Sequence, residues 1–108
     1  MSTSIITNYI KGLEPDLKES DILRQVRDFL KWNKWFVIRI QQGLGSHKGV
    51  SDLIALKDGK TIFVEVKTRR GNLSEYQIKF KQDIENKGGL YYTVRSIDDI
   101  KEVIKSIK

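Results

Sequence analysis

The chain has 108 residues, 39% apolar and 31% charged, with twenty Lys and Arg against fourteen Asp and Glu, a net charge of +6. That length supports one domain with a single modest core, and the lack of cysteine excludes disulfides and thiolate metal sites. No apolar run approaches the ~20 residues of a membrane-spanning helix, and the first residues lack the basic and apolar regions of a signal peptide. A cytoplasmic protein with no membrane partner is therefore expected, and its basic balance suits a polyanion such as nucleic acid.

Neither a repeat nor a linker divides the sequence. Residues 1–15 are polar with scattered isoleucines and read as an arm, loose or at a subunit contact; residues 16–108 read as one domain. Pro15-Asp16 predicts a helix start, with Asp16 as N-cap and Glu19 three residues on as a variant capping box. Ile22, Val26, Phe29 and Leu30 recur at helical spacing and carry this helix to about Trp32. Residues 36–40 are β-branched and aromatic enough for a strand. Residues 41–49, with Gly43, Gly45, Gly49, Ser46 and His47, read as a loop. Trp32 and Trp35 are expected in the core or at an interface.

Two apolar runs follow, 51–57 and 60–67, separated by Asp58-Gly59. Asp-Gly between strands signals a two-residue type I′ turn, because both central residues must tolerate positive φ. That turn sets Lys57 opposite Lys60, then Leu56 opposite Thr61, Ile54 opposite Phe63 and Asp52 opposite Glu65. Directly opposed residues share a sheet face, and Lys67 joins them because side chains alternate along a strand. Two like charges placed opposite each other destabilise a sheet, so a positive group is expected there, with a divalent cation the obvious candidate. Oxygen ligands without cysteine, and with the histidine elsewhere, favour Mg²⁺ or Mn²⁺ over Zn²⁺. The plain alternative is a solvated face carrying ordinary charges.

Residues 68–72 form a basic turn. Ser74 starts the next helix: Gln77 completes a capping box, Leu73 and Ile78 fit a hydrophobic staple, and Tyr76, Phe80 and Ile84 form the expected buried stripe. Gly88-Gly89 ends it. Residues 90–94 read as a strand, and Ser96 caps a last helix whose Ile97, Ile100, Val103, Ile104 and Ile107 face the core. The order αβββαβα implies two antiparallel pairings, then a parallel one after the helical crossover: an α/β fold with a mixed sheet.

An N-terminal helix with Glu19, a Gly-rich loop, Gly49-Val-Ser-Asp52-Leu-Ile, Val64-Glu-Val-Lys67 and Gly71-Asn-Leu-Ser-Glu-Tyr-Gln77 together resemble the VRR-NUC nucleases. These belong to the PD-(D/E)xK superfamily, which includes restriction endonucleases and archaeal Holliday-junction resolvases. The resemblance spans roughly residues 17–104 and looks like a stand-alone member of the phage and bacterial kind. It implies a restriction-endonuclease-like αβββαβ core with an added C-terminal helix. The one departure is Ser51, where the family has a proline that shapes the strand entry and does no chemistry.

The resemblance implies a metal-dependent endonuclease, with Asp52, Glu65 and the Val66 carbonyl as ligands and Mg²⁺ as cofactor, Mn²⁺ substituting. Lys67 would orient the attacking water; its alternative is an ion pair with Glu65. Glu19 would reach the metal site, directly or through water, and its helical face, shared with Ile22, Val26 and Leu30, points it toward the core side; the capping box explains it without catalysis. Gln77 divides in the same way between the active site and its own capping box. Arg39, Lys48, Arg69 and Arg70 are candidate phosphate contacts beside a generic basic surface. Gly43, Gly45 and Ser46 suit close backbone approach to a phosphate, and His47 is expected to touch DNA or solvent. Branched DNA cut by a homodimer is the favoured substrate reading. A flap- or nick-directed nuclease of repair or replication, and an inactive nucleic-acid-binding module, are the competitors.

Overall fold

The structure, a computed structural model, describes residues 17–41, 43 and 46–107. The elements run α1 (Glu19–Trp32), β1 (Phe36–Arg39), β2 (Leu53–Lys57), β3 (Lys60–Val66), α2 (Glu75–Asn86), β4 (Leu90–Val94) and α3 (Ile97–Ser106). The strands form one sheet in the order β1-β2-β3-β4, antiparallel twice and then parallel. This is the mixed sheet expected from the order of elements, and it is consistent with the restriction-endonuclease-like core that the resemblance implies.

The hairpin register is the one its turn demands. Asp58 and Gly59 both have positive φ, 53° and 78°, and Lys57 pairs Lys60, Leu56 pairs Thr61 and Ile54 pairs Phe63. The strands are shorter than their apolar runs: β2 begins at Leu53 and β3 ends at Val66, leaving Asp52 and Lys67 just outside the ladder.

Alternation along the strands sorts the sheet into two faces. Leu53, Ala55, Ile62, Val64, Val66 and Val94 are buried on one, packed with Ile22, Leu23, Val26 and Leu30 of α1 and Ile100 of α3. Only a smaller cluster, Val50, Phe80 and Tyr91 with Ile40, Phe63 and Ile84 against it, covers part of the other face under α2.

The helix ends show both agreement and correction. Ser74 and Gln77 form the reciprocal capping box, and Gly89 and Gly88 close α2 by donating to the carbonyls of Ile84 and Glu85, a Schellman motif. Helix α1, by contrast, starts at Glu19 with Lys18 as an N-cap that makes no side-chain bond. Glu19 is thus the first helical residue rather than the third, and its capping-box role falls; Asp16 and the arm lie outside the described residues. One apolar expectation fails, since Tyr76 of the expected buried stripe is not covered by another element among the described residues, and Trp32 is not in the core. Tyr76 is 58% exposed and Trp32 83%, while Trp35 is buried.

Candidate active site

Asp52 enters β2 after Ser51, which is fully buried and donates from Oγ to the Leu53 carbonyl at 3.0 Å. That bond ties down the strand entry where the family pattern has proline. The Asp52 carbonyl accepts from the Ile40 N–H at 2.8 Å, fastening the entry to the end of β1.

Asp52 and Glu65 then interlock through each other's backbone. Val66 N–H donates to Asp52 Oδ2 at 2.7 Å, and Asp52 N–H donates to Glu65 Oε2 at 3.2 Å. From α2, Gln77 Nε2 donates to Glu65 Oε1 at 2.8 Å, while Gln77 Oε1 accepts from the Ser74 N–H at 2.8 Å. The capping-box reading of Gln77 is therefore realised, and the same side chain also reaches the acid pair: one end of the amide closes the helix cap and the other bonds the Glu65 carboxylate. The cap fixes the rotamer with which Gln77 reaches Glu65.

Glu65 is 1% exposed. Burial, followed by the neighbouring Asp52 charge, raises its pKa from 4.5 to about 8, against the lowering influence of Lys67. The buried carboxyl thus competes for a cation, whether proton or metal. Lys67 is partly exposed just past β3 and forms no ion pair with Glu65 among the described residues, so the salt-bridge alternative is not realised.

A cavity of about 460 Å³ opens on these groups, lined by Glu19, Arg39, Ile40, Gln41, Asp52, Glu65 and Gln77. Glu19 is exposed rather than core-facing, and it reaches this cavity as a rim residue at the start of α1. Among the described residues no three His, Cys, Asp or Glu side chains form a metal-holding group; the close acids are the pair Asp52 and Glu65. That pair nevertheless fits a hard divalent ion: its donors are all oxygen, both carboxylates are oriented by hydrogen bonds, and their mutual repulsion calls for positive charge.

The remaining expected contacts lie outside this cavity. Ser46 bonds its own loop, accepting from Gly43 N–H at 3.0 Å and donating to the Gly43 carbonyl at 2.7 Å. His47 packs on Phe80, with ring centroids 5.6 Å apart, and the Lys48 ammonium sits 4.9 Å from the centre of the Tyr76 ring. Gly45 lies outside the described residues. Arg69 and Arg70 are exposed on the basic turn.

Three residues were not singled out as functional from sequence. Arg95 Nη1 donates to the carbonyls of Thr68 at 2.8 Å and Gly71, which pins the turn presenting Arg69 and Arg70. Gly49 has φ 78°, and a Cβ there would collide with the Tyr76 carbonyl and lie 2.8 Å from Gln77 N, so it lets the loop lie against the first turn of α2. Its place in the Gly49–Ile54 motif was the available signal. Tyr91 lies beneath the acids; burial first, then the charges of Glu65 and Asp52, raises its pKa and keeps its hydroxyl protonated. The Tyr91 and Thr93 hydroxyls are buried close enough to interact with each other, and neither has another hydrogen-bond partner among the described residues.

An acid pair at the entry and exit of a central hairpin, on a mixed four-stranded sheet with this helix order, defines a nuclease-type α/β fold. The VRR-NUC domain model matches residues 13–98, and the chain belongs to that family. A solved structure described as a VRR_NUC domain superposes with a TM-score of 0.72 at 20% identity, covering 83% of this chain and 97% of the other. No curated protein matches the chain.

Proposed function

We propose that the protein is a Mg²⁺- or Mn²⁺-dependent DNA endonuclease that hydrolyses phosphodiesters in branched DNA, built as one nuclease domain over residues 16–108 and acting as a homodimer in the cytoplasm. The observation that carries this reading is the interlocked pair Asp52 and Glu65, held by the Val66 and Asp52 amides and by Gln77, on an open cavity.

Asp52, Glu65 and the Val66 carbonyl would hold the ion, with Glu19 at the rim. Bound there, it supplies Lewis acidity toward the phosphate and acidifies a water. Gln77 keeps the Glu65 carboxylate aimed, and Lys67 orients the attacking water and offsets phosphate charge. Arg39, on the cavity wall, takes the neighbouring phosphate oxygens. Arg69 and Arg70, on the turn held by Arg95, and Lys48 on the glycine loop meet the backbone farther along. A symmetric four-way junction matches a two-fold enzyme. The open apolar side chains of Phe36, Ile38 and Leu56 support a second copy on that face.

The test incubates the protein with labelled four-way, flap and linear DNA in Mg²⁺, Mn²⁺ or EDTA. Asp52→Asn keeps an acceptor for the Val66 amide but removes the charge, and is expected to lower cleavage by at least about 10³-fold with binding retained. Mn²⁺ is also expected to raise the Tm of the wild type and not of Asp52→Asn, a readout independent of cutting. Cleavage of no substrate in either metal overturns the enzyme reading in favour of a binding module. Preference for flaps favours the repair reading instead, and a monomer mass in solution removes the dimer.

A further inference from the structure

Beside the acid cavity lies a second one of about 380 Å³, walled by His47, Phe63, Phe80, Ile84, Asp83 and Lys87. We propose that it takes an unpaired nucleobase from the strand whose phosphodiester is held at Asp52 and Glu65. This inference rests on the nuclease reading and adds to it the feature of DNA that would be recognised.

The two cavities have no lining residue in common, but β3 and α2 contribute side chains to both. Phe63 lies two residues before Glu65 on one face of β3, about 7 Å away along the strand. Phe80 lies three residues after Gln77 on α2, about 4.5 Å along the helix axis. A strand held at the acids would therefore run within reach of the aromatic cavity. Its rings are a preset group: Phe80 is 5.6 Å from His47 at an interplanar angle of 57°, and 5.8 Å from Phe63 at 70°. Phe80 is buried and fixes the floor, whereas His47 is exposed and Phe63 half-exposed.

The charges at the rim suit the same ligand. Asp83 already accepts an ion pair from Lys79 at 2.7 Å, while Lys87 has no ion pair among the described residues. The rim therefore offers a cation for a backbone phosphate, and the interior offers apolar and aromatic surface for a base. Stacking on aromatic side chains needs a free π-face, which a base inside a duplex lacks. The cavity would select a base already unpaired at a junction, gap or flap, with little dependence on its identity.

The test uses Asp52→Asn protein, which is expected to bind without cutting. It is titrated against a duplex carrying one unpaired 2-aminopurine and against the fully paired duplex of the same sequence. Quenching of the unpaired fluorophore and tighter binding of that duplex are expected. Adding Phe63→Leu, which keeps apolar bulk, or His47→Ala, at an exposed position, is expected to weaken the unpaired complex about 5- to 10-fold while changing the paired one less than twofold. Equal affinity for both duplexes without quenching overturns the inference alone, as does an equal loss on both. A change of mass in solution on either substitution assigns the cavity to a second copy and overturns it too. Failure to bind either duplex overturns the nuclease reading with it.

Discussion

The two faces of the sheet solve different problems. One carries Leu53, Ala55, Ile62, Val64, Val66 and Val94 under α1 and α3, and every one of those side chains is fully buried. The other carries Asp52, Glu65, Thr93, Phe63 and Tyr91 under α2, whose one buried side chain is Phe80, and beside the loop that brings His47 and Val50. The closed face supplies apolar burial. The open face spends part of it, keeping a carboxyl buried at raised pKa and two hydroxyls with no partner but each other among the described residues. Strain of this kind gathers at functional sites; on the closed side its counterpart among the described residues is the buried, unpartnered Trp35 Nε1.

The contrast is broken most strongly from the closed face. Leu30→Ala is expected to destabilise the protein by about 2–5 kcal/mol, through lost burial and the cavity left behind. Cleavage per folded molecule should hardly change, which chemical denaturation with activity normalised to the folded fraction will check. Equal damage to both would mean that the faces are not separable.

Glu65→Gln tests the open face by pH. Because the folded pKa of about 8 stands above the ordinary 4.5, the native state keeps a proton that the unfolded chain releases. Its contribution to stability is therefore full below about pH 4.5 and is lost as pH rises through about 8. Urea midpoints in EDTA should fall for the wild type between those values, and fall less for Glu65→Gln. Parallel curves would show that Glu65 carries no such burden.

Gly49→Ala acts where the loop meets α2. Left-handed φ and the collision with the Tyr76 carbonyl predict a loss of more than about 1 kcal/mol. Activity should fall further than stability accounts for, since the turn that aims Gln77 moves. Unchanged kcat in a stable variant would remove Gly49 from the support of the site. The smallest effect is expected from Ser74→Ala, about 1 kcal/mol for the lost cap. A modest drop in activity should accompany it, because Gln77 loses one of its two anchors; denaturation and steady-state rates measure the two together.

Much of this organisation was legible in advance. The Asp58-Gly59 turn set the register, and with it the meeting of Asp52 and Glu65, because the side-chain period of a strand is two and a slip of one residue would reverse every face. Ser74, Gln77, Gly88 and Gly89 marked α2 by chemistry local to its ends. Glu19 was harder to read: the same spacing suited a cap, a core position and a cavity rim, and the choice depended on where the helix began and what lay above it.

The sequence by itself determined the order of elements, the pairing of the hairpin and the identity of the acid pair, since each follows from interactions between residues near in the chain. Tertiary structure alone decided that Gln77 serves cap and carboxylate together, that Gly49 lies against α2, that Arg95 holds the basic turn, and that His47 turns to Phe80. Those contacts join segments far apart in sequence, and neither periodicity nor turn chemistry carries information across such distances. The same holds for the raised pKa of Glu65: a carboxyl becomes a strong competitor for cations only when packing has taken away its water.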